Sequence, residues 1–426
     1  MARLGNPTRV TPAATGTLRV IPEVEFVNLF AVVAIALLAP LLIALVPPTL
    51  RVPAVVLEIV AGVAVGPSGL GLVAVDLPVQ IVSLLGLAFL LFLAGLEIDV
   101  QALRGRLLRL AVLGYLVTLA IGVAAGLGFA AAGWVRSPLL LAITLSATSL
   151  GLVVPVLKDA GMVGSAVGQA TIAASSVADF AAVVLLSLLF SASEASTGRR
   201  LVLLAVFGAL VVITAVVVSL AGRWRRLGGV LVRLQDTTAE IRVRAAVVLL
   251  VAFVVLARGF GLESILGAFL AGAVVGMVDR DTSTHPRFRL KLEAIGYGFV
   301  IPVFFVTSGL RLDLHGLVAS PSAALRVPLF LLALLLARGV PALLYAGTVG
   351  RRAALAAGLL QATSLPFIVT ASQIGLLIGL LTPVTATALV CAGLLSVLVF
   401  PAAALRLLRP STPRPADVIG RSPQPA

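Results

Sequence analysis

From residue 24 to residue 408 the chain is a near-continuous succession of apolar stretches, each about the 17 to 25 residues that cross a bilayer, separated by short turns. In hydrocarbon such a stretch must satisfy its own backbone hydrogen bonds, and a helix does so. Loop signals place thirteen helices near 24–46, 51–70, 79–96, 107–132, 138–157, 165–190, 200–221, 242–257, 261–278, 293–311, 325–347, 353–378 and 383–405. With 60% hydrophobic and 11% charged residues and a mean hydropathy of +1.18, the chain is far too apolar for a soluble globular protein. The expectation is an all-α polytopic membrane protein with one transmembrane domain over 24–408. A Thr- and Pro-rich segment, 1–23, and a polar tail, 409–426, read as flexible flanks, and no soluble regulatory domain is expected.

The net charge of +14 does not point to nucleic acid, because the basic residues sit in short loops and do not form a patch with interleaved aromatics. Thirteen crossings put the termini on opposite sides. Nine basic residues fall on the N-terminal side: Arg3, Arg9, Arg19, Arg136, Arg199, Arg200, Arg258, Arg311 and Arg326. Twenty-one fall on the other, including Arg104, Arg106, Arg109, the "RWRR" starting at Arg223 and the "RFRLK" starting at Arg287. The positive-inside rule therefore puts the N-terminus outside and the C-terminus in the cytoplasm of a cell inner (plasma) membrane. The remaining basic residue, Arg338, lies inside the eleventh helix. The lone Cys391 and the loop histidines His285 and His315 cannot build a disulfide or a Cys/His metal cluster. No cofactor is expected, and with no hydrolytic or dehydration chemistry visible the chain does not read as an enzyme.

The sequence repeats itself. "ATSL" occurs at Ala147 in the fifth helix and at Ala362 in the twelfth, an offset of 362 − 147 = 215. "GLEID" at Gly95 and "GLRLD" at Gly309 are 214 apart, and "AGVAVG" at Ala61 and "AGAVVG" at Ala271 are 210 apart. Each pair is seven helices apart, and an odd separation means that the two copies cross in opposite directions. Two inverted-topology six-helix repeats, about 24–190 and 242–405, with the connector helix 200–221 between them, are a transporter device. Gly151 follows the first "ATSL", Pro366 follows the second, and Pro155 lies further along the fifth helix. These helix-breaking residues predict that both helices are interrupted at the midplane, with Thr148, Ser149, Thr363 and Ser364 lining a small polar cavity. The plainer expectation is that these hydroxyls bond to their own helix backbone and Pro only kinks it.

Two mid-membrane charges are not copied. Asp179, on the sixth helix, corresponds to Leu394 (179 + 215), and Arg338 corresponds to Val123 (338 − 215). A charge at mid-bilayer costs at least about 2.5–3.5 kcal/mol, which makes chemistry the default explanation. On a carboxylate withdrawn from water a proton and a small monovalent cation compete for the same oxygens, which is sufficient for exchange. Arginine keeps its proton and supplies fixed positive charge. The competing expectation is a direct, structural Asp179–Arg338 ion pair. Glu58 and Glu263 are expected to face the interface near helix ends, and Glu97 and Asp99 to be solvated or paired in a loop beside Arg104.

The ordered motifs "RVPAVVLEIVAGVAVGPSGLG", "FLLFLAGLEIDV", "ATSLGLVVPVLKDAG", "GQATIAASSVADFAAVVLLSLLF", "IPVFFVTSGLRLDL" and "GLLQATSLPFIV" resemble the bacterial monovalent cation:proton antiporters of the second family, the Kef-type and sodium/proton exchanger group. The resemblance implies a thirteen-helix fold in which the fifth and twelfth helices are unwound and cross. It also implies a mobile core of 107–190 and 325–405 working against a panel that forms a homodimer. Asp179 matches the family's ion-binding aspartate, with Ala178 where many members carry a first carboxylate, and Arg338 matches a basic residue of the eleventh helix. Ser364 stands where many relatives have a glutamate. The expected substrates are a monovalent cation and a proton, the former held by Asp179 with Thr148, Ser149, Ser176, Thr363 and Ser364. One carboxylate predicts one cation for one proton, an electroneutral exchange with sodium first and potassium or lithium as alternatives. Rival readings are a transporter of another solute on this fold and a non-transporting membrane sensor.

Overall fold

Several of the turn residues that punctuate the sequence act as helix starts. Side-chain oxygens of Asp76, Ser137 and Ser320 accept the N–H groups of Val79, Leu140 and Ala323, and a proline opens each following helix where its missing N–H costs nothing. The computed structural model describes residues 26–43, 53–97, 105–190, 197–223, 240–278 and 287–408; the expected flanks 1–23 and 409–426, and Asp99 and Arg104, lie outside them.

Every regular element among the described residues is helical. In order they are α1 (Val27–Ile43), α2 (Ala54–Val65), α3 (Leu77–Leu96), α4 (Gly105–Ala131), α5 (Pro138–Ser146), α6 (Leu150–Asp159), α7 (Ala166–Phe190) and α8 (Thr197–Arg223). There follow α9 (Ile241–Gly259), α10 (Ser264–Val278), α11 (Phe288–Ile295), a π turn (Gly296–Val300) and α12 (Ile301–Leu310). The chain continues through α13 (Leu314–Val318), α14 (Pro321–Gly339), a 3₁₀ segment (Pro341–Tyr345), α15 (Ala346–Val349), α16 (Arg351–Gln361), α17 (Pro366–Leu377) and α18 (Pro383–Leu408). Each of the thirteen apolar stretches contains helix. Among the described residues seven helices are long and apolar enough to cross a membrane, and α16 with α17, bent by 42° at their break, make an eighth; apolar helices in α1, α2, α8 and α10 are shorter. The protein is a multi-pass membrane protein.

Its packing falls into matched pairs. The contact of α2 with α12 has a counterpart in α10 with α3, and that of α1 with α2 in α9 with α10. Likewise α7 packs against α4, α5 and α6 as α18 packs against α14, α16 and α17. The first of these pairs rests on glycines that let backbones touch. A Cβ on Gly62 or Gly309 would stand 2.1 Å from the carbonyl oxygen of Val306 or Ile59; one on Gly272 or Gly95 would stand 1.8 or 2.0 Å from that of Phe92 or Phe269. Without a hydrophobic force between helices in lipid, such close approach through small residues is what holds them together. Around these contacts lies a core that includes Phe89, Phe92, Phe269, Phe304 and Phe305.

Gly272→Val is expected to force α3 and α10 apart, costing about 1–3 kcal/mol, whereas Gly128→Ala, where a Cβ meets nothing within 4 Å, is expected to be neutral. Thermal melting of the detergent-solubilised protein checks both.

Candidate functional site

Two helices stop in mid-span and meet. The fifth expected helix is interrupted at Ala147–Ser149, between α5 and α6, and the twelfth at Thr363–Leu365, between α16 and α17. The freed backbone groups find one another: Ser149 N–H donates to the Thr363 carbonyl at 2.9 Å, and Leu365 N–H donates to Ser149 Oγ at 3.0 Å. The breaks fall just before the residues expected to cause them. Gly151 lies within the first turn of α6, Pro366 is the first residue of α17, and Pro155 sits inside α6 on an exposed face, marking no interruption. Proline at a helix start loses no hydrogen bond, so Pro366 fixes where the second helix resumes.

The two unpaired charges attach to opposite ends of these half-helices. Thr148 N–H donates to Asp179 Oδ1 at 2.9 Å, just ahead of the first residue of α6, so Asp179 of α7 faces the N-terminal, positive end of that helix. Arg338, 2% exposed in the last turn of α14, donates from Nε to Thr148 Oγ1 at 3.0 Å and to the Gln361 carbonyl at 3.3 Å. Gln361 ends α16, so the guanidinium sits at that helix's negative end. Nη2 also donates to Thr148 Oγ1, Nη1 reaches Thr118 Oγ1 at 3.5 Å, and the Thr148 hydroxyl donates to the Gln361 carbonyl at 2.8 Å. Among the described residues no ion pair joins Asp179 to Arg338. Thr148 stands between them, its N–H on the carboxylate and its hydroxyl on the guanidinium.

The second half answers with neutral groups. Ser364 N–H donates to Ser396 Oγ at 3.1 Å, and the same hydroxyl lies 3.1 Å from the Ser364 carbonyl, so Ser396 of α18 occupies the role that Asp179 fills in α7. Ser396 is two residues beyond the Leu394 that a fixed offset of 215 picks out. The Thr363 hydroxyl bonds back to the Leu359 carbonyl, as the plainer expectation had it, while Ser364 Oγ has no partner among the described residues.

A cavity of about 70 Å³ reaches this junction. Thr148, Ser149, Gly151, half-buried Asp179 and Pro366 line it with apolar side chains such as Leu90, Phe269 and Phe305. Of the residues expected around a bound ion, Asp179, Thr148 and Ser149 reach the cavity. Buried Thr363, Ser364 and Ser176 do not, nor does Arg338. Ala178, beside Asp179, is fully buried.

Two expectations about acidic residues are corrected. Glu58 lies inside α2 at 4% exposure and does not face an interface, and Glu97 at the end of α3 lines the same cavity as Asp179. The carboxylate was visible in "GLEID", but the end of a span looks the same in sequence whether it faces water or a crevice. Thr118, Gln361, Ser396 and Tyr297 are not marked in the sequence either, since hydroxyls and amides in apolar helices carry no periodic signal.

The sodium/hydrogen exchanger transmembrane family model matches residues 33–409. This chain belongs to that family. YjbQ of Bacillus subtilis is 32% identical over 363 residues, 82% of this chain and 57% of that protein, so the chain spans little more than half of YjbQ's length. The Na(+)/H(+) antiporter of Enterococcus hirae is 30% identical over 272 residues, 62% of this chain and 67% of its own. The solved structure of a sodium proton antiporter from Methanocaldococcus jannaschii at pH 8 superposes with a TM-score of 0.59 over 90% of this chain and 99% of that one. At 18% identity this is a likeness of fold alone. The fold class expected from the sequence, an all-helical polytopic membrane protein of the antiporter type, is the one the family carries.

Thr148→Val keeps the shape of the side chain and removes the oxygen that serves Arg338. It is expected to lower stability by about 1–3 kcal/mol, since a buried charged donor loses its acceptor, and Thr148→Ser is expected to restore most of it. Melting curves of the three proteins check this; equal stability of the valine variant would show that the guanidinium finds other partners.

Proposed function

We propose that this protein is a secondary active antiporter that exchanges a monovalent cation, sodium first among the candidates, for protons by alternating access. The observation that carries the reading is a single carboxylate, Asp179, held at the crossing of two interrupted helices and open to a cavity. Family membership and the named activity of the Enterococcus hirae relative support it. In this reading Asp179 binds either the cation or the proton. Thr148 and Ser149, with backbone oxygens released by the breaks, complete the cation's shell, and Ser176, Thr363 and Ser364 lend polarity behind it. Arg338 balances charge and does not carry the proton.

The two halves are read as inverted repeats. The duplicated glycine contacts and matched helix pairs support that, and motion of α4–α7 and α14–α18 against the remainder would expose Asp179 to each side in turn. With Ala178 and Ser364 at positions where related sites carry carboxylates, one cation replaces one proton and the exchange is electroneutral. A small, mostly apolar cavity that Arg338 does not reach offers an organic anion neither room nor charge. In the proposal the protein is a homodimer in the inner (plasma) membrane, N-terminus outside; the partition of twenty-one basic residues against nine supports that orientation.

Purified protein in proteoliposomes, with an internal pH dye and external sodium, potassium or lithium, is expected to move protons with at least one of them. Asp179→Asn is expected to abolish the signal, and full activity in that variant would sink the site. The native exchange rate is expected to ignore an imposed membrane potential; a rate that follows the potential would rule out the one-for-one ratio.

A further inference from the structure

The cavity holds a second carboxylate that the exchange reaction as read so far leaves without a task. Glu97 caps the end of α3, beyond the stretch that packs on α10 and α12, and so belongs to the other group of helices from Asp179. One of its oxygens lies 3.8 Å from Arg289 Nη2, a loose contact with a half-exposed guanidinium that also bonds Glu293 at 3.0 Å. The other, Oε2, is shielded from solvent and has no hydrogen-bond partner among the described residues. A buried carboxylate oxygen without a donor is expensive unless a bound proton or cation neutralises it.

The local backbone brings this group to the working helix. A Cβ placed on Gly151 would stand 3.8 and 3.9 Å from the two Glu97 oxygens and 3.3 Å from the Tyr297 hydroxyl. Glu97 and Tyr297 therefore converge on the first turn of α6, the turn whose start holds Asp179. Tyr297 comes from the π turn that widens the helix between α11 and α12, the kind of irregularity that sets a side chain into a site. A side chain at 151 would stand in contact with both Glu97 oxygens and press on the Tyr297 hydroxyl.

We propose that Glu97 is a loading carboxylate: it receives the monovalent cation at the cavity and delivers it to Asp179, on one face of the membrane only. This rests on the antiporter reading above. Glu97 supplies a negative charge that Arg289 meets only loosely and on one oxygen, Tyr297 an oxygen ligand, and the apolar walls keep the field of the carboxylate strong. Because Glu97 sits on a different group of helices from Asp179, it faces Asp179 only while the cavity is on this side, and it is not carried across. The exchange ratio therefore stays that of Asp179 alone.

The experiment is cation-dependent proton exchange in vesicles of known orientation, with the half-saturating sodium or lithium concentration measured from each face for the native protein, Glu97→Gln, Glu97→Asp and Arg289→Gln. The glutamine variant is expected to raise that concentration about tenfold at one face, ~1.4 kcal/mol of binding, with a much smaller change at the other. Aspartate is expected to recover most of the loss, and Arg289→Gln to lower the concentration, because the cation no longer competes with the guanidinium. An unchanged half-saturating concentration in Glu97→Gln would overturn the proposal, as would an equal rise at both faces. A fall in maximal rate alone, with lower thermal stability, would mark Glu97 as structural and overturn it too. Asp179→Asn run in parallel separates the two readings. If it still transports, the antiporter site is misplaced; if it is dead while Glu97→Gln binds normally, only the loading role fails.

Discussion

The structure turns on Thr148. Asp179 and Arg338 are charges that a bilayer interior opposes, and each could be stabilised most simply by touching the other. They do not touch: one residue, in the extended gap between two half-helices, gives its N–H to the carboxylate and its hydroxyl to the guanidinium. The gap makes this possible, because a Thr in an unbroken helix has its N–H already committed to the turn before it. Each charge then faces the helix end of opposite sign, α6 for Asp179 and α16 for Arg338, so the broken helices replace the missing ion pair. A carboxylate left free of a direct cation can accept another one.

Around that junction the two halves share a scaffold and differ in content. Gly62 and Gly309 on one side, Gly272 and Gly95 on the other, press α2 on α12 and α10 on α3 in the same way. The helix breaks pair with each other through Ser149, Thr363 and Leu365. At the equivalent point, however, α7 offers Asp179 and α18 offers Ser396. A symmetric pair of carboxylates would double the charge to be neutralised at the crossing. A serine satisfies the same backbone N–H at no electrostatic cost, leaving one titratable group at the crossing.

The site is also more one-sided than its residues suggest. Ser176, Thr363, Ser364 and Arg338 are buried behind the junction, and of the residues expected around the ion Thr148, Ser149 and Asp179 meet the cavity. On the other wall stand Glu97 and Tyr297, contributed by helices that pack away from α7. The cavity is thus a seam between two groups of helices, and its chemistry comes from both.

Much of this was legible in the residues. Apolar length set the helices; "ATSL", "GLEID" and "AGVAVG" with their later copies marked the duplication; and isolated charge picked out Asp179 and Arg338, since hydrocarbon penalises polar groups strongly enough to make exceptions conspicuous. Gly151 and Pro366 located both interruptions to within a few residues, though Pro155 did not mark one, because a proline in an exposed helical face can be carried by the helix. What the sequence could not decide was who meets whom. Bridging by Thr148 in place of an ion pair, the part taken by Ser396, the burial of Glu58 and the turning of Glu97 into a crevice all depend on distances between segments tens to hundreds of residues apart. Composition fixes the cost of burying a group. Only the packed arrangement of helices fixes which partner, or which ion, offsets that cost.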